Sequence, residues 1–293
     1  FSDIVDIFYK KNNDLLDHRK DLQTKINEWH IGHKSNNIDL KEYKKFLEEI
    51  NYIVYEGPDF KITTSNVDKE ISTICGPQLV VPITNARFAL NAVNARWGSI
   101  YDALYGTDAL GDMPEGKSYN SERGERVVKF AKSHLDKFAP LLNASWNEIN
   151  KIQLIENNLN LSTTNNSNIN LENNDQIIGW RINEESILSE LILKKNNLHC
   201  RILINPNDSI GKNDIANIAD ILIESAISTI LDCEDSVATV DAEDKILAYR
   251  NWLGLVKGDL QTEFKKNNQV VSRTLNEDIK FISSKGSEEI LKT

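Results

Sequence analysis

The chain of 293 residues is poor in cysteine and lacks both a long apolar run and an excess of positive charge. Its three cysteines, Cys75, Cys200 and Cys233, form an odd and sparse set, which predicts a reducing compartment and no disulfide framework. No window approaches the roughly 18 apolar residues that a transmembrane helix requires. Residues 1–6 contain no basic segment, which argues against a secretory signal peptide.

The charge balance is acidic, with a formal net charge of −10 and a pI of about 5.1. This charge argues against a protein that binds duplex nucleic acid or a polybasic membrane binder, while a local basic pocket remains compatible with it. Hydrophobic residues make up 40% and charged residues 27%, an ordinary globular balance. The length suits one large domain or roughly two to three smaller ones.

The most informative stretch is a short β-branched apolar run, residues 227–231, that ends in three carboxylates. Such a run predicts a buried strand. Asp232, Glu234 and Asp235 follow it, and Asp232 and Glu234 point the same way if the strand continues. Carboxylates at the C-terminal end of a strand, before a helix, lie where α/β barrels and open α/β sheets carry their chemistry.

Two interpretations of this acidic cluster remain open. Three neighbouring acids repel one another, so they stay ionised together beside a cation, a metal-bound water or an arginine. The alternative is a solvated acidic loop followed by a helix cap. The helix that follows is predicted to begin at the cap Asp241 and to end at Gly258. Its predicted apolar face consists of Ile246, Leu247, Tyr249, Leu253 and Val256.

Residues 1–76 are predicted to form helices. The first has the apolar stripe Leu15, Leu16, Leu22, Ile26 and Trp29, and the second, capped by Asp39, has Leu40, Tyr43, Phe46, Leu47 and Ile50. A third is predicted to begin at Ser65 and to end at Gly76. His30 and His33 have no further histidine or cysteine beside them, which favours exposed helix-end histidines over a metal site.

A second strand is predicted at 78–83, with Pro82 at its end, where a missing N–H is tolerated. One helix is then predicted from Asn85 to a stop at Gly106. It carries Arg87, which is either a surface cation or an anion contact near the helix N-terminus.

The block between the two strands mixes helix and strand patterns. The predicted elements are a loop at 107–120, a helix from the cap Ser121 to Phe138 with Val127, Val128, Phe130, Ala131 and Leu135 inward, strands at 151–156, 158–161 and 169–171, a polar turn at 163–168, a hairpin of 187–193 and 198–204, and a helix at 215–225. Strand-like runs follow near 270–271 and 281–282. This pattern indicates an insertion into one α/β core, which we expect residues outside this chain to complete.

Several long motifs resemble the malate synthase G family. They are GPQLVVP at 76–82, NARFALNAVNARWGS at 85–99, YDALYG at 101–106, LDCEDSVA at 231–238, DAEDK at 241–245 and YRNWLG at 249–254. The resemblance runs nearly end to end, and only 143–175 departs much from it. It implies the first part of a TIM (β/α)8 barrel, incomplete in this chain, with an N-terminal α-helical clasp and an inserted α/β domain. The implied ranges are 1–77 for the clasp, 78–94 and 227–257 for the barrel, and 95–226 with 258–293 for the insertion.

The resemblance also implies an activity. Malate synthases are transferases of the glyoxylate cycle that condense glyoxylate with acetyl-CoA and water to give malate and CoA, with Mg²⁺. We therefore expect a cytoplasmic enzyme, monomeric at full length, with acetyl-CoA and glyoxylate as partners and with no nucleic-acid or membrane partner. The direct Mg²⁺ ligands, the general base and the glyoxylate-binding arginine are expected beyond residue 293, so the chain alone is expected to be inactive.

Site residues are carried over by position. The residues that resemble acetyl-CoA contacts are Val80, Arg87, Phe88, Ser236 and Arg273. Phe88 stands where the family commonly has tyrosine, so a hydroxyl contact is expected to be lost there. Asp232, Glu234 and Asp235 resemble an acidic motif that supports the metal through its waters and orients a catalytic arginine; no direct metal ligand is assigned in this chain.

Two other functions compete with this one. Another CoA-dependent C–C lyase on the same barrel would share the acidic motif, although the clasp and residues 85–99 argue against it. A catalytically inactive, partner-binding piece is the other alternative.

Overall fold

The computed structural model describes residues 2–34, 37–74, 76–116, 118–165, 168–266 and 269–292. Cys75 and two residues of the predicted polar turn, Asn166 and Ser167, lie outside these ranges. The chain divides into two compact units, Phe1–Ser65 and Asn66–Thr293. Within the described ranges, no helix is both long and apolar enough to cross a bilayer.

The first unit contains two helices, α1 (Ser2–Gly32) and α2 (Leu40–Glu49). The predicted cap is confirmed, since the Asp39 carboxylate accepts a hydrogen bond from the backbone N–H of Lys41 at 2.8 Å. Part of the predicted stripe of α1 is wrong: Leu15 is 58% exposed.

An aromatic cluster joins these two helices. The ring centroid of Trp29 lies 4.6 Å from that of Tyr43 and 5.7 Å from that of Phe46. His33 stacks on Trp29 with a centroid distance of 3.9 Å, and the Nε2 atom of His30 lies 3.1 Å from the Tyr43 hydroxyl. Both histidines are half-buried, so the prediction of exposed histidines is wrong, because the aromatic packing covers them.

The helices of the second unit are α3 (Lys69–Ser72), α4 (Ala86–Val93), α5 (Ile100–Tyr105), α6 (Ser121–Phe138) and α7 (Ala242–Lys257). The predicted caps of α3 and α6 are wrong. The N-cap of α3 is Asp68 rather than Ser65, so that helix is a single turn. Asn120 rather than Ser121 caps α6, and its side chain accepts a hydrogen bond from the Arg123 N–H at 3.0 Å.

The strands of the second unit, in chain order, are β1 (Gln78–Pro82), β2 (Trp97–Ser99), β3 (Ile149–Ile155), β4 (Asn158–Thr163), β5 (Asn168–Ile169), β6 (Ile177–Ile182), β7 (Leu188–Lys195), β8 (Leu198–Ile204), β9 (Ile218–Glu224), β10 (Ser228–Asp232), β11 (Thr262–Lys266), β12 (Gln269–Arg273), β13 (Ile279–Ser283) and β14 (Glu288–Leu291). Most predicted strands are confirmed. The sequence analysis missed β6, β11 and β14, and it predicted helices over β2 and β9.

Strands β1 and β10 form a parallel pair, in register from Gln78 opposite Ser228 to Pro82 opposite Asp232. Each is followed by a helix, α4 after β1 and α7 after β10. Ile83 and Ala89 pack with Ala248 of α7 in a small buried cluster. The two-stranded sheet therefore has a helix-covered face.

The ends of α7 are confirmed, but its predicted packing face is wrong. Asp241 accepts a hydrogen bond from the Asp244 N–H at 2.9 Å, and Gly258 ends the helix in the left-handed conformation with φ 77°. The helix buries Ala248, Asn251 and Gly254 instead of its large side chains. The predicted apolar residues Ile246, Leu247, Tyr249, Leu253 and Val256 are each between 43% and 73% exposed.

The largest sheet has seven strands in the order β14-β13-β6-β7-β8-β9-β2, and its neighbours are antiparallel. Strands β2 and β6–β9 precede β10 in the chain, whereas β13 and β14 follow α7. The sheet thus combines strands from the chain segment between β1 and β10 with strands from the segment after α7.

Two predicted helices are wrong because their residues form strands of this sheet. The segment predicted as a helix at 215–225 is β9, which pairs with β8 on one side and β2 on the other. The helix predicted from Asn85 to Gly106 is interrupted by β2. A Cβ atom added at Gly98 would lie 2.6 Å from the Ser225 Oγ atom, so the close pairing of β2 beside β9 requires a glycine.

The main core lies between the seven-stranded sheet, helices α5 and α6, and the sheet β3-β4-β5. Val127, Ala131 and Leu135 of α6 are buried as predicted, whereas Phe130 is 50% exposed, so its inward placement is wrong. Trp146 is fully buried, and its Nε1–H donates to the Ala139 carbonyl at 2.7 Å. The chain is a mixed α/β structure.

A buried carboxylate on β9 contacts residues on both sides of its strand: Arg96, just before β2, and His199 of β8. Glu224 of β9 accepts hydrogen bonds from the Arg96 Nε at 2.9 Å and from the His199 backbone N–H at 2.7 Å, and its side chain has no exposed surface. Burial alone would raise the pKa of this carboxyl, but the hydrogen bonds from His199 and Arg96 outweigh it and lower the pKa. Arg96 is therefore part of the fold's internal ion pairing.

Candidate functional site

The C-terminal ends of β1 and β10 lie side by side. The Ile83 N–H, just after β1, donates to the Asp232 carbonyl at 3.1 Å. The predicted acidic residues and the start of α4 consequently lie at the same edge of the parallel pair, where α/β proteins place functional loops.

Asp232 organises the loop that follows β10. Its Oδ1 atom accepts hydrogen bonds from the N–H groups of Glu234 at 2.8 Å and Asp235 at 3.2 Å. Its Oδ2 atom accepts one from the Ser236 N–H at 2.8 Å. The Ser236 hydroxyl and these backbone donors hold the pKa of the Asp232 carboxyl below its usual value. Asp232 is therefore an ionised loop cap, as in other turns built around an aspartate.

Glu234 and Asp235 are exposed at the surface of this loop. Within the described ranges, no group of three or more histidine, cysteine, aspartate or glutamate side chains could hold a metal ion. Both oxygens of Asp232 are already engaged by backbone N–H groups of the loop. The exposure of Glu234 and Asp235 and the capping by Asp232 are those expected of a solvated acidic loop.

Two asparagines fix the entry to α4. Asn85 caps the helix, its side-chain oxygen accepting a hydrogen bond from the Phe88 N–H at 3.1 Å. The buried Asn251 of α7 donates its amide to the carbonyls of Ile83 at 2.9 Å and Thr84 at 3.2 Å. Helix α7 thereby anchors the loop that leads into α4, whose first turn carries Arg87 and Phe88.

Arg87 lies against two aromatic rings. Its Cζ atom is 5.5 Å from the centroid of the Phe88 ring and 5.1 Å from that of the Phe264 ring. Both distances are within the range of a cation–π contact. The first turn of α4 is thus in contact with β11, which lies far along the chain.

Arg273 approaches the same ring from the neighbouring strand. The Arg273 Cζ atom is 6.0 Å from the Phe264 centroid. Strands β11 and β12 pair with Phe264 opposite Val271 and with Thr262 opposite Arg273, so Phe264 and Arg273 share one face of the hairpin as diagonal neighbours. Asn94 holds the segment after β12: it donates to the Thr274 carbonyl at 2.8 Å.

We name Arg87, Phe88, Phe264 and Arg273 the arginine–phenylalanine cluster. It unites three of the five residues that the sequence predicts as acetyl-CoA contacts. The other two lie apart from these contacts: Val80 is 63% exposed on β1 opposite Ile230, and Ser236 belongs to the Asp232 loop.

Phe264 was missed by the sequence analysis. Its segment belongs to the polar tail after residue 259. The alternation of Thr262 and Phe264 with the charged Glu263 and Lys265 was the available signal for a strand. The contact with Arg87 could not be inferred, because no local pattern connects α4 with β11.

A comparison with protein families matches residues 119–195 to the α/β insertion domain of malate synthase G. This range includes α6 and the strands from β3 to β7 in the mixed α/β block between β1 and β10.

Comparison with curated proteins gives relatives along nearly the whole chain. The malate synthase G of Corynebacterium glutamicum is 45% identical over 287 residues, which is 96% of this chain and 38% of that protein. That of Corynebacterium efficiens is 43% identical over 98% of this chain and 38% of its own length. That of Halalkalibacterium halodurans is 41% identical over 97% and 39%. The resemblance to malate synthase G is confirmed, and the chain spans about two fifths of these relatives' length.

Proposed function

We propose, from its similarity to malate synthase G over nearly its whole length, that this chain is part of a malate synthase. The enzyme would condense glyoxylate with acetyl-CoA and water to give malate and CoA, as a transferase of the glyoxylate cycle. The observation that carries the proposal is the identity of 41–45% to relatives of that name across 96–98% of the chain.

Within that enzyme, we assign this chain to the binding of acetyl-CoA. The support is the arginine–phenylalanine cluster, in which two guanidinium groups meet on aromatic rings. Arginine binds phosphate groups through paired N–H donors, and aromatic rings stack on purine bases. CoA presents both chemical groups, so the cluster suits its nucleotide end. Val80 and Ser236 remain proposed contacts for other parts of the ligand.

The reaction would be a Claisen condensation. A carboxylate base removes a proton from the acetyl methyl group, and the enolate oxygen that forms requires a positive partner. The enolate carbon attacks the glyoxylate aldehyde, and the malyl thioester is then hydrolysed. No group of three or more potential metal ligands occurs among the described residues, and no step is assigned to a metal held by Asp232, Glu234 or Asp235. The Asp232 carboxylate holds the loop after β10 in shape, and the proposed role of the three acids stays the support of the metal through its waters and the orientation of a catalytic arginine.

At the level of architecture, we propose that β1 and β10 are adjacent strands of a TIM barrel. Their parallel pairing, with a helix after each, supports this assignment. The joint sheet of β2, β6–β9, β13 and β14 supports grouping 95–226 with 258–293 as the inserted domain. The helical clasp at 1–77, the use of Mg²⁺, the cytoplasmic location and the monomeric state of the whole enzyme remain parts of the proposal.

A melting experiment on this chain tests the acetyl-CoA assignment. A ligand that binds only the folded state raises the melting temperature with ligand concentration. We expect acetyl-CoA to raise it and glyoxylate alone to leave it unchanged. An unchanged melting temperature at saturating acetyl-CoA would show that this chain does not form the acetyl-CoA site.

A further inference from the structure

The guanidinium groups of Arg87 and Arg273 both lie near the aromatic ring of Phe264. The Cζ atoms of Arg87 and Arg273 lie 5.1 Å and 6.0 Å from its centroid. The ring is half-buried, on the partly buried face of the β11–β12 hairpin. Arg87 comes from α4 and Arg273 from β12, so this one side chain connects two elements that are distant in sequence.

Neither of these two arginines has a carboxylate partner among the described residues. The arginines that form ion pairs in the described part of the chain are Arg96, Arg123, Arg126, Arg181 and Arg201. The Arg273 Nε atom is buried without a hydrogen-bond partner in the described ranges. Buried donors are nearly always paired, and the unpaired buried polar atoms of the described residues, which also include Trp97 Nε1 and the Tyr101 hydroxyl, are positions open to a further hydrogen-bond partner.

Two like charges on one ring repel each other. In a chain with a net charge of −10, a pair of arginines without carboxylate partners is a local positive site. An anion placed between the guanidinium groups would relieve the repulsion and accept the free N–H donors. The ring keeps both planar groups oriented through cation–π contacts, which lowers the entropy lost when the anion binds.

We propose that Phe264 is a positioning residue of the CoA site, which orients Arg87 and Arg273 for the phosphate groups of acetyl-CoA. The inference rests on the proposed function and adds a residue that the resemblance to the family does not supply. Phe264 acts through the two arginines, so its removal weakens acetyl-CoA binding even though it carries no donor for a phosphate.

Calorimetric titration of acetyl-CoA into the 293-residue chain tests this. Phe264→Leu keeps an apolar side chain but removes the ring, and we expect it to weaken binding about tenfold. Phe264→Tyr restores the ring and should bind within about twofold of the unsubstituted chain. Val270→Ala is the matched control, since Val270 is 62% exposed on the same hairpin, and it should leave affinity unchanged.

A double-substitution cycle separates positioning from general stability. In an Arg87→Ala background, Phe264→Leu should weaken binding much less than it does alone, because one of its two targets is already missing. Full additivity would overturn the inference, even if Phe264→Leu also lowers the melting temperature. Unchanged affinity in Phe264→Leu, together with weaker binding in Arg87→Ala, would overturn the role of Phe264 and leave the proposed function intact. Absence of acetyl-CoA binding by the unsubstituted chain would overturn both.

Discussion

The Ser236 N–H donates to the Oδ2 atom of Asp232 at 2.8 Å, so two residues that the sequence predicts for different roles are parts of one turn. Ser236 was expected to contact acetyl-CoA, and Asp232 to support a metal. Their hydrogen bond shows that the shape of the loop depends on the Asp232 carboxylate. A change of the Asp232 side chain therefore alters the position of the Ser236 backbone.

The first prediction concerns Asp232→Asn. In the native chain both carboxylate oxygens of Asp232 accept hydrogen bonds from backbone N–H groups. The asparagine side chain keeps one oxygen acceptor but replaces the other with an NH₂ donor, which cannot accept a backbone hydrogen bond. We expect faster hydrogen exchange at the amides of residues 234–236 with little change in the melting temperature. Asp235→Asn is the control, because Asp235 is exposed at the surface of the same loop. Unchanged exchange in Asp232→Asn would show that the carboxylate does not hold the loop.

The second prediction is the pH dependence of the same turn. The folded pKa of Asp232 is lowered, so its contribution is fully present above the unfolded carboxyl value of about 3.9 and is lost as pH falls through the lower folded pKa. We expect the chemical shifts of the 234–236 amides to stay constant down to about pH 4 and to change below it. A midpoint at or above the ordinary aspartate value would contradict the hydrogen bonding described for Asp232.

The third prediction concerns the buried carboxylate of β9. Glu224→Gln removes the charge that Arg96 contacts at 2.8 Å, in a side chain with no exposed surface. We expect the free energy of unfolding in urea to fall by about 2–4 kcal/mol. Glu288→Gln is the control, because its pair with Lys280 spans 3.9 Å and Glu288 is 71% exposed, and it should change stability by less than about 0.5 kcal/mol. Equal effects would mean that Glu224 is solvated.

The fourth prediction discriminates between strand and helix at residues 97–99. Gly98→Ala would stabilise a helix by about 1 kcal/mol. In the β2 strand, the added Cβ atom would lie 2.8 Å from the Ser225 Cβ atom and must displace it. We therefore expect a loss of about 1–3 kcal/mol in unfolding free energy. Gly57→Ala is the control, since nothing lies within 4 Å of its added Cβ atom. A stabilised Gly98→Ala variant would favour the continuous helix.

The fifth prediction concerns Arg87→Ala in the whole enzyme. Loss of a guanidinium group from the proposed phosphate site should raise the KM for acetyl-CoA about tenfold, with a much smaller change in the KM for glyoxylate. Arg126→Ala, at an exposed ion pair with Asp112, is the control and should change neither value. An unchanged acetyl-CoA KM would remove Arg87 from the site.

Local sequence patterns correctly predicted several helix ends and the two parallel strands, because the residues that determine them are neighbours in the chain. The caps Asp39 and Asp241, the helix start after Asn85 and the left-handed stop at Gly258 are where the side-chain chemistry requires them. The apolar runs of β1 and β10 were likewise sufficient to predict strands.

Predictions failed where pairing between distant segments decides the structure. The pattern of residues 215–225 is compatible with a helix, but β8 and β2 both pair with this segment and make it a strand. The apolar residues of α7 predicted the wrong face, because the helix packs through the small Ala248 and Gly254. In the site, Arg87 and Arg273 were predicted from the family resemblance, whereas Phe264, which joins them, depends on a contact between α4 and β11.

The most direct test of the account is CoA thiol release from acetyl-CoA, glyoxylate and Mg²⁺, measured with this chain alone and after it replaces the matching segment of the Corynebacterium glutamicum relative. We predict no turnover by the chain alone and turnover by the hybrid protein, because the chain supplies CoA binding and the remainder supplies the base. Turnover by the chain alone would contradict this division of roles. It would also make Asp232, Glu234 and Asp235 candidates for direct metal ligands.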